Sequence, residues 1–136
     1  MRGNMIVGGV LVAVSIAACG SDSTGGDINQ PTPTNQISIV AGAESKGSAA
    51  FAPNPLSISL AAGGVAKWVN NDRGRDDGYG GMVGGVAHNI TSDDGAFTSG
   101  TLSPGSTFSA TFGAAGTYGY HCSVHPTMIG EVTVTP

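Results

Sequence analysis

A chain of 136 residues that is 40% apolar, only 10% charged and carries 23 glycines has room for one small domain with one hydrophobic core. So few charges, set among abundant Val, Ile, Thr, Ser and Phe, argue against a fold built on long surface helices and favour an all-β one. The net charge of −4, which becomes −5 if Arg2 is lost with a leader, speaks against nucleic acid as a partner.

Residues 1–18 hold one Arg near the start and an apolar run from Met5 to Ala18, the outline of an export signal. The run is short of the roughly 20 residues that span a bilayer, so removal is expected rather than a permanent transmembrane helix. Its end, Ile16-Ala17-Ala18-Cys19, resembles the lipobox of bacterial lipoproteins, in which the cysteine becomes the lipidated first residue of the mature chain. That resemblance implies an exported protein held to an envelope membrane through lipid on Cys19, facing the periplasm in a Gram-negative host. Residues 19–36 are polar and rich in Gly, Ser, Thr and Pro, which reads as the lipidated cysteine and a flexible tether. With Cys19 lipidated, Cys122 is the one thiol left in the domain of residues 37–136, so no internal disulfide can form. An unpaired thiol in an oxidising compartment calls for burial or a bound partner.

From Ile37 onward, short apolar alternations are separated by Gly, Pro, Asn and Asp clusters. Leu56, Ile58 and Leu60 share one face of a predicted strand, and Val65–Asn70 forms another that ends in the turn-like Asn70-Asn71-Asp72. Residues 73–85, RGRDDGYGGMVGG, carry six glycines and mixed charge, and read as a mobile loop or insertion too irregular for a tight hairpin. Val86, His88 and Ile90 share a face of the next predicted strand, and Phe108, Ala110 and Phe112 a face of the one after. Tyr118, Tyr120 and Cys122 point inward and His121 outward; in the last strand Val132 and Val134 point inward. Trp68, Phe51, Phe97, Leu102, Phe108 and Phe112 read as core, and Asp72, Asp76, Asp77, Asp93 and Asp94 as solvated turn residues. The pattern predicts a Greek-key β-sandwich of about seven to eight strands.

Near the carboxyl end, Cys122, His125 and Met128 follow one another at three-residue spacing: a thiolate, an imidazole and a thioether. A strand end, a turn and the next strand start can fold such a segment into an arch whose ligands converge. His88, inward-facing on a distant strand, supplies a second imidazole. Two His and one Cys with a weak axial Met form the donor set of a blue-copper electron-transfer site, whereas zinc is better served by four strong ligands. One copper ion is therefore the expected cofactor.

These residues carry a family resemblance. FAPNPLSISLAAGG, KWVNND, HNI and GTYGYHCSVHPTMIGEVTV, spread over residues 51–136, resemble the plastocyanin-like and amicyanin-like cupredoxins. The C-x-x-H-x-x-M spacing is the short one of amicyanins. The resemblance implies that His88, Cys122 and His125 are strong ligands and Met128 the axial one, and that Asn89 braces the ligand loop by hydrogen bonding. Pro126 stiffens that loop, since proline restricts itself and the residue before it. It also implies that the edge of His125 reaches the surface in an apolar patch with Val124 and Pro126.

The function expected from the set is one-electron transfer to redox partner proteins by a monomeric, non-enzymatic carrier. The alternative is copper handling in the envelope without a redox partner. A multicopper oxidase or nitrite reductase needs further histidine clusters, and the chain has three histidines. His121, covalently next to Cys122, is either solvated or an electron exit on the flank. Residues 73–85 depart from the family pattern, and Tyr79 or Met82 within them is expected to lie beside the copper end and shape a partner surface.

Overall fold

A computed structural model describes residues 35–136; the expected leader, Cys19 and most of the tether fall outside the described residues. Ten strands occur among them: β1 (Gln36–Ile39), β2 (Phe51–Ala52), β3 (Leu56–Ser59), β4 (Val65–Asn70), β5 (Gly74–Asp76), β6 (Met82–Gly84), β7 (Thr91–Ser92), β8 (Thr107–Thr111), β9 (Gly116–His121) and β10 (Ile129–Thr135). Eight of them build the expected sandwich, in two four-stranded sheets ordered β2-β1-β4-β8 and β3-β10-β9-β7. β1 runs parallel to β4 and β3 parallel to β10, while the other pairs within these sheets are antiparallel.

The predicted parities hold. Ala66, Trp68 and Asn70 point inward from β4, Leu56 and Ile58 from β3, and Val132 and Val134 from β10. Trp68 and Tyr120 meet edge-on between the sheets with ring centroids 5.3 Å apart, and Phe51 meets Tyr120 at 4.9 Å. Phe97 and Phe108 flank Trp68, each at 5.7 Å, and are only partly buried. Such pairs contribute about 0.5–1.5 kcal/mol each beyond the apolar area they remove from water. Gly130 lies against the Tyr120 ring, where any Cβ would collide with the phenol, so β10 can run flush over it. Burial also pushes the Tyr120 phenol above the usual tyrosine range, so the ring stays neutral in the core.

Three local expectations are corrected. Residues 73–85 are not an irregular loop: β5 and β6 pair as an antiparallel ribbon, with Gly74 opposite Gly84 and Asp76 opposite Met82. The Asp77 carboxylate shapes its tip by accepting from the backbone N–H of Tyr79 (2.8 Å) and Gly81 (2.9 Å). Gly74, at φ +77°, starts the ribbon where a side chain would strike the Val83 carbonyl. The stretch around His88 keeps its alternation, with His88 and Ile90 buried, but forms no ladder beyond an isolated bridge to Leu102; the strand proper is only Thr91–Ser92. Asp72 is no solvated turn residue: it is 2% exposed.

Candidate metal centre

The centre begins with a hairpin. β9 and β10 pair with His121 opposite Ile129, and one step further Cys122 N–H donates to the Met128 carbonyl at 3.1 Å. The spacing C-x-x-H-x-x-M therefore has a structural meaning: Cys122 and Met128 close the strand pair, and residues 123–127 form the loop above it. Within the loop, His125 N–H donates to the Cys122 carbonyl (3.2 Å) and Met128 N–H to the His125 carbonyl (2.9 Å). Two successive turns bring the imidazole of His125 back over the thiol, with Nδ1 3.8 Å from Cys122 Sγ.

His88 arrives from outside this hairpin. Its backbone exchanges two hydrogen bonds with Leu102 (3.1 and 2.7 Å), which fixes the residue although no strand surrounds it. Its ring stands edge-on to that of His125, centroids 5.0 Å apart, and ligand atoms of His88, Cys122 and His125 all lie within 4.8 Å of one another. Cys122, His88 and Met128 are buried, His125 is half-buried, and Pro126 and Val124 are exposed, Val124 at 64%.

Asn89 stitches the two halves together. Its side chain donates to Ser123 Oγ (2.6 Å) and accepts from Ser123 N–H (2.7 Å), while its own N–H points at Cys122 Sγ at 3.4 Å. The residue after His88 is thus joined to the Cys122–Met128 loop through Ser123. Such bonds hold ligands in one orientation before any metal arrives.

One carboxylate expected as a solvated turn residue, Asp72, belongs to the centre, whereas Asp93 is the exposed turn residue expected. Asp72 places Oδ2 3.0 Å from His88 Nε2 and accepts from Gly42 N–H at 3.0 Å through Oδ1. Burial works against its charge, yet the hydrogen bonds from His88, Gly42 and Ala43 outweigh that and hold its carboxyl below the usual carboxylate range. Asp93 lies 2.6 Å from Nδ1 of His121, on the flank, so His121 faces away from the thiol beside it and is a third exposed. A signal for Asp72 was present: it continues the inward parity of Ala66, Trp68 and Asn70. The ribbon residues Tyr79 and Met82 are 96% and 56% exposed, and the ribbon returns to the body at Val86, whose N–H donates to the Asp72 carbonyl at 3.0 Å.

The residues fit a copper ion. Buried polar atoms are ordinarily paired; among the described residues three side-chain atoms are not, Trp68 Nε1, Tyr120 OH and His88 Nδ1, and of these residues only His88, whose Nδ1 can offer a lone pair, clusters with Cys122 and His125. A metal accepting that lone pair resolves the exception, and two imidazoles, a thiolate and a buried thioether suit copper.

The comparisons agree with this chemistry. Residues 38–135 match the family model described as copper binding proteins, plastocyanin/azurin family. Plastocyanin from Scenedesmus fuscus is 33% identical over 111 residues, covering 72% of this chain and 98% of that protein. Among solved structures, a purple cupredoxin from Nitrosopumilus maritimus is 33% identical with a TM-score of 0.58, covering 74% of this chain and 98% of its own. A copper-containing nitrite reductase from Thermus scotoductus shares the fold alone, at 24% identity and TM-score 0.54; this chain covers 25% of it.

Proposed function

The chain belongs to the plastocyanin/azurin family of copper-binding proteins, and from that premise we propose that it carries single electrons between redox partner proteins through one type 1 copper site. The observation that carries the reading is the cluster itself: ligand atoms of His88, Cys122 and His125 converge, buried Met128 closes the same loop through its backbone, and the segments are tied by hydrogen bonds that do not depend on metal. Copper supplies a one-electron couple when held there. The chain's part is to keep the ligand positions alike in both oxidation states. Asn89 and Ser123 clamp the two segments, the Cys122–Met128 backbone bond closes the loop, and Pro126 limits its motion. A rigid site keeps the rearrangement on electron transfer small.

Burial of Cys122, His88 and Met128 favours this reading over copper handling, which calls for an accessible, exchangeable site. It also favours a carrier over an enzyme, since the remaining histidine of three, His121, is committed to Asp93 on the flank. Export and anchoring through Cys19 complete the proposal, supported by the residues around that cysteine. The test is spectroscopic. On adding Cu(II), the protein is expected to show an intense thiolate-to-copper band that bleaches with reductant and returns with oxidant over repeated cycles, without loss of copper to a weak chelator. Fast loss to the chelator favours handling and overturns the carrier.

Electrons are proposed to leave by the half-buried His125 edge, flanked by Val124 and Pro126. A small, transient contact of this kind suits rapid turnover. Val124→Glu is expected to slow electron self-exchange about tenfold or more, because two copies meeting by this face bring like charges together at a cost of several kcal/mol. Line broadening in mixtures of reduced and oxidised protein measures the rate. An unchanged rate would move the docking face elsewhere.

A further inference from the structure

We propose that Asp72 is a positioning residue of the metal centre, which holds His88 in the tautomer that frees Nδ1 and whose fixed negative charge lowers the reduction potential. The inference rests on copper being held as proposed above and concerns a residue outside the ligand set.

The geometry comes first. Neutral imidazole has one N–H and one lone pair, and the partner of one nitrogen decides which is which. His88 Nε2 faces Asp72 Oδ2 at 3.0 Å, with the two side chains 0% and 3% exposed. A carboxylate only accepts, so Nε2 carries the proton and Nδ1, the buried atom without a partner, keeps its lone pair, on a residue that clusters with Cys122 and His125.

The carboxylate is itself held on several sides. Its Oδ1 accepts from Gly42 N–H, its backbone N–H donates to Asn70 Oδ1 at 2.9 Å, and its backbone carbonyl accepts from Val86 N–H. Asp72 therefore cannot follow the imidazole if the ring turns, and the ring cannot turn without breaking the pair.

The electrostatic part follows from burial. Salt and water screen a buried charge far less than an exposed one. A negative charge one imidazole away from the metal favours the more positive oxidation state, so Cu(II) gains relative to Cu(I). Glu44 brings a carboxylate oxygen within 4.8 Å of the same atoms, but it is exposed and its effect is damped by solvent. The burden falls on Asp72.

The test compares wild type with Asp72→Asn in the full chain. Asparagine keeps the size and an acceptor oxygen for Nε2–H while removing the charge. The blue band is expected to persist, and the ratio of Cu(II) to Cu(I) affinity to fall about tenfold, the lower end of what outer hydrogen-bond partners of metal ligands contribute. For a one-electron couple a tenfold change is a rise of about 59 mV in potential. A merely structural brace predicts equal potentials, and that result with an intact wild-type band overturns the role of Asp72. A wild type lacking the band overturns the carrier reading instead. Should the variant fail to fold, nitrogen NMR of the metal-free wild type decides: His88 protonated at Nε2 supports the assignment, and His88 protonated at Nδ1 overturns it.

Discussion

Replacing Cys122 with serine is expected to abolish the blue absorption and to weaken Cu(II) binding by more than about a hundredfold, while the metal-free protein keeps its fold. The spectral loss follows from chemistry, because the band belongs to a thiolate bound to copper and a serine hydroxyl is neither soft nor ionised at neutral pH. Hydrogen-bond partners of metal ligands are worth about 10–100-fold in affinity, so removal of a strong ligand exceeds that. The fold survives because serine is close to isosteric and its oxygen can accept the Asn89 N–H that now points at Sγ. The Cys122–Met128 closure uses backbone atoms alone. Titration with Cu(II) followed by visible absorption checks the first part, and thermal melts of the metal-free proteins the second. A serine variant that keeps the band would place the copper elsewhere.

What was legible in the sequence was whatever obeys a short period. The alternation of Leu56 and Ile58, of Ala66, Trp68 and Asn70, and of Tyr118, Tyr120 and Cys122 is local, and the sheets reproduce it. The ligand hairpin is equally local, since seven residues between two strands have few ways to close. The ribbon was hidden because its three-residue strands carry no apolar alternation and both lie largely in solvent; hydrogen bonds from its tip to Asp77 organise it instead. The pairing of Asp72, whose burial its parity signalled, was hidden for a different reason. Its partner, His88, is 16 positions away, on the far side of the insert, so no window around either residue contains the pair. Asp93 and His121 were separated in the same way, by 28 positions.

The second large effect is expected at a residue that touches neither metal nor ligand. Asn70, fully buried at the end of β4, donates through Nδ2 to the carbonyls of Val86 and Leu102, both at 2.9 Å, and accepts from Asp72 N–H through Oδ1. One side chain thus ties the residue where the insert departs to the residue where it returns, and both to the segment that pairs with His88. The two ends of the ribbon are thereby fixed to each other and to the body of the sandwich. In Asn70→Ala the Leu102 carbonyl keeps its bond from His88 N–H, but Asp72 N–H and the Val86 carbonyl lose the partners shown for them. At about 1–3 kcal/mol for a buried polar group left unpaired, the Asp72 N–H alone carries that loss and the part-buried Val86 carbonyl adds a smaller share, together a substantial fraction of the roughly 5–15 kcal/mol that holds a domain together. Urea denaturation of the metal-free variant should show that loss, and its Cu(II) affinity should fall as well, because Asp72 and His88 lose their common anchor. Stability within about 0.5 kcal/mol of wild type, the range of an ordinary surface substitution, would mean that the ribbon is held by its own hairpin and that the ligand segment needs no such anchor.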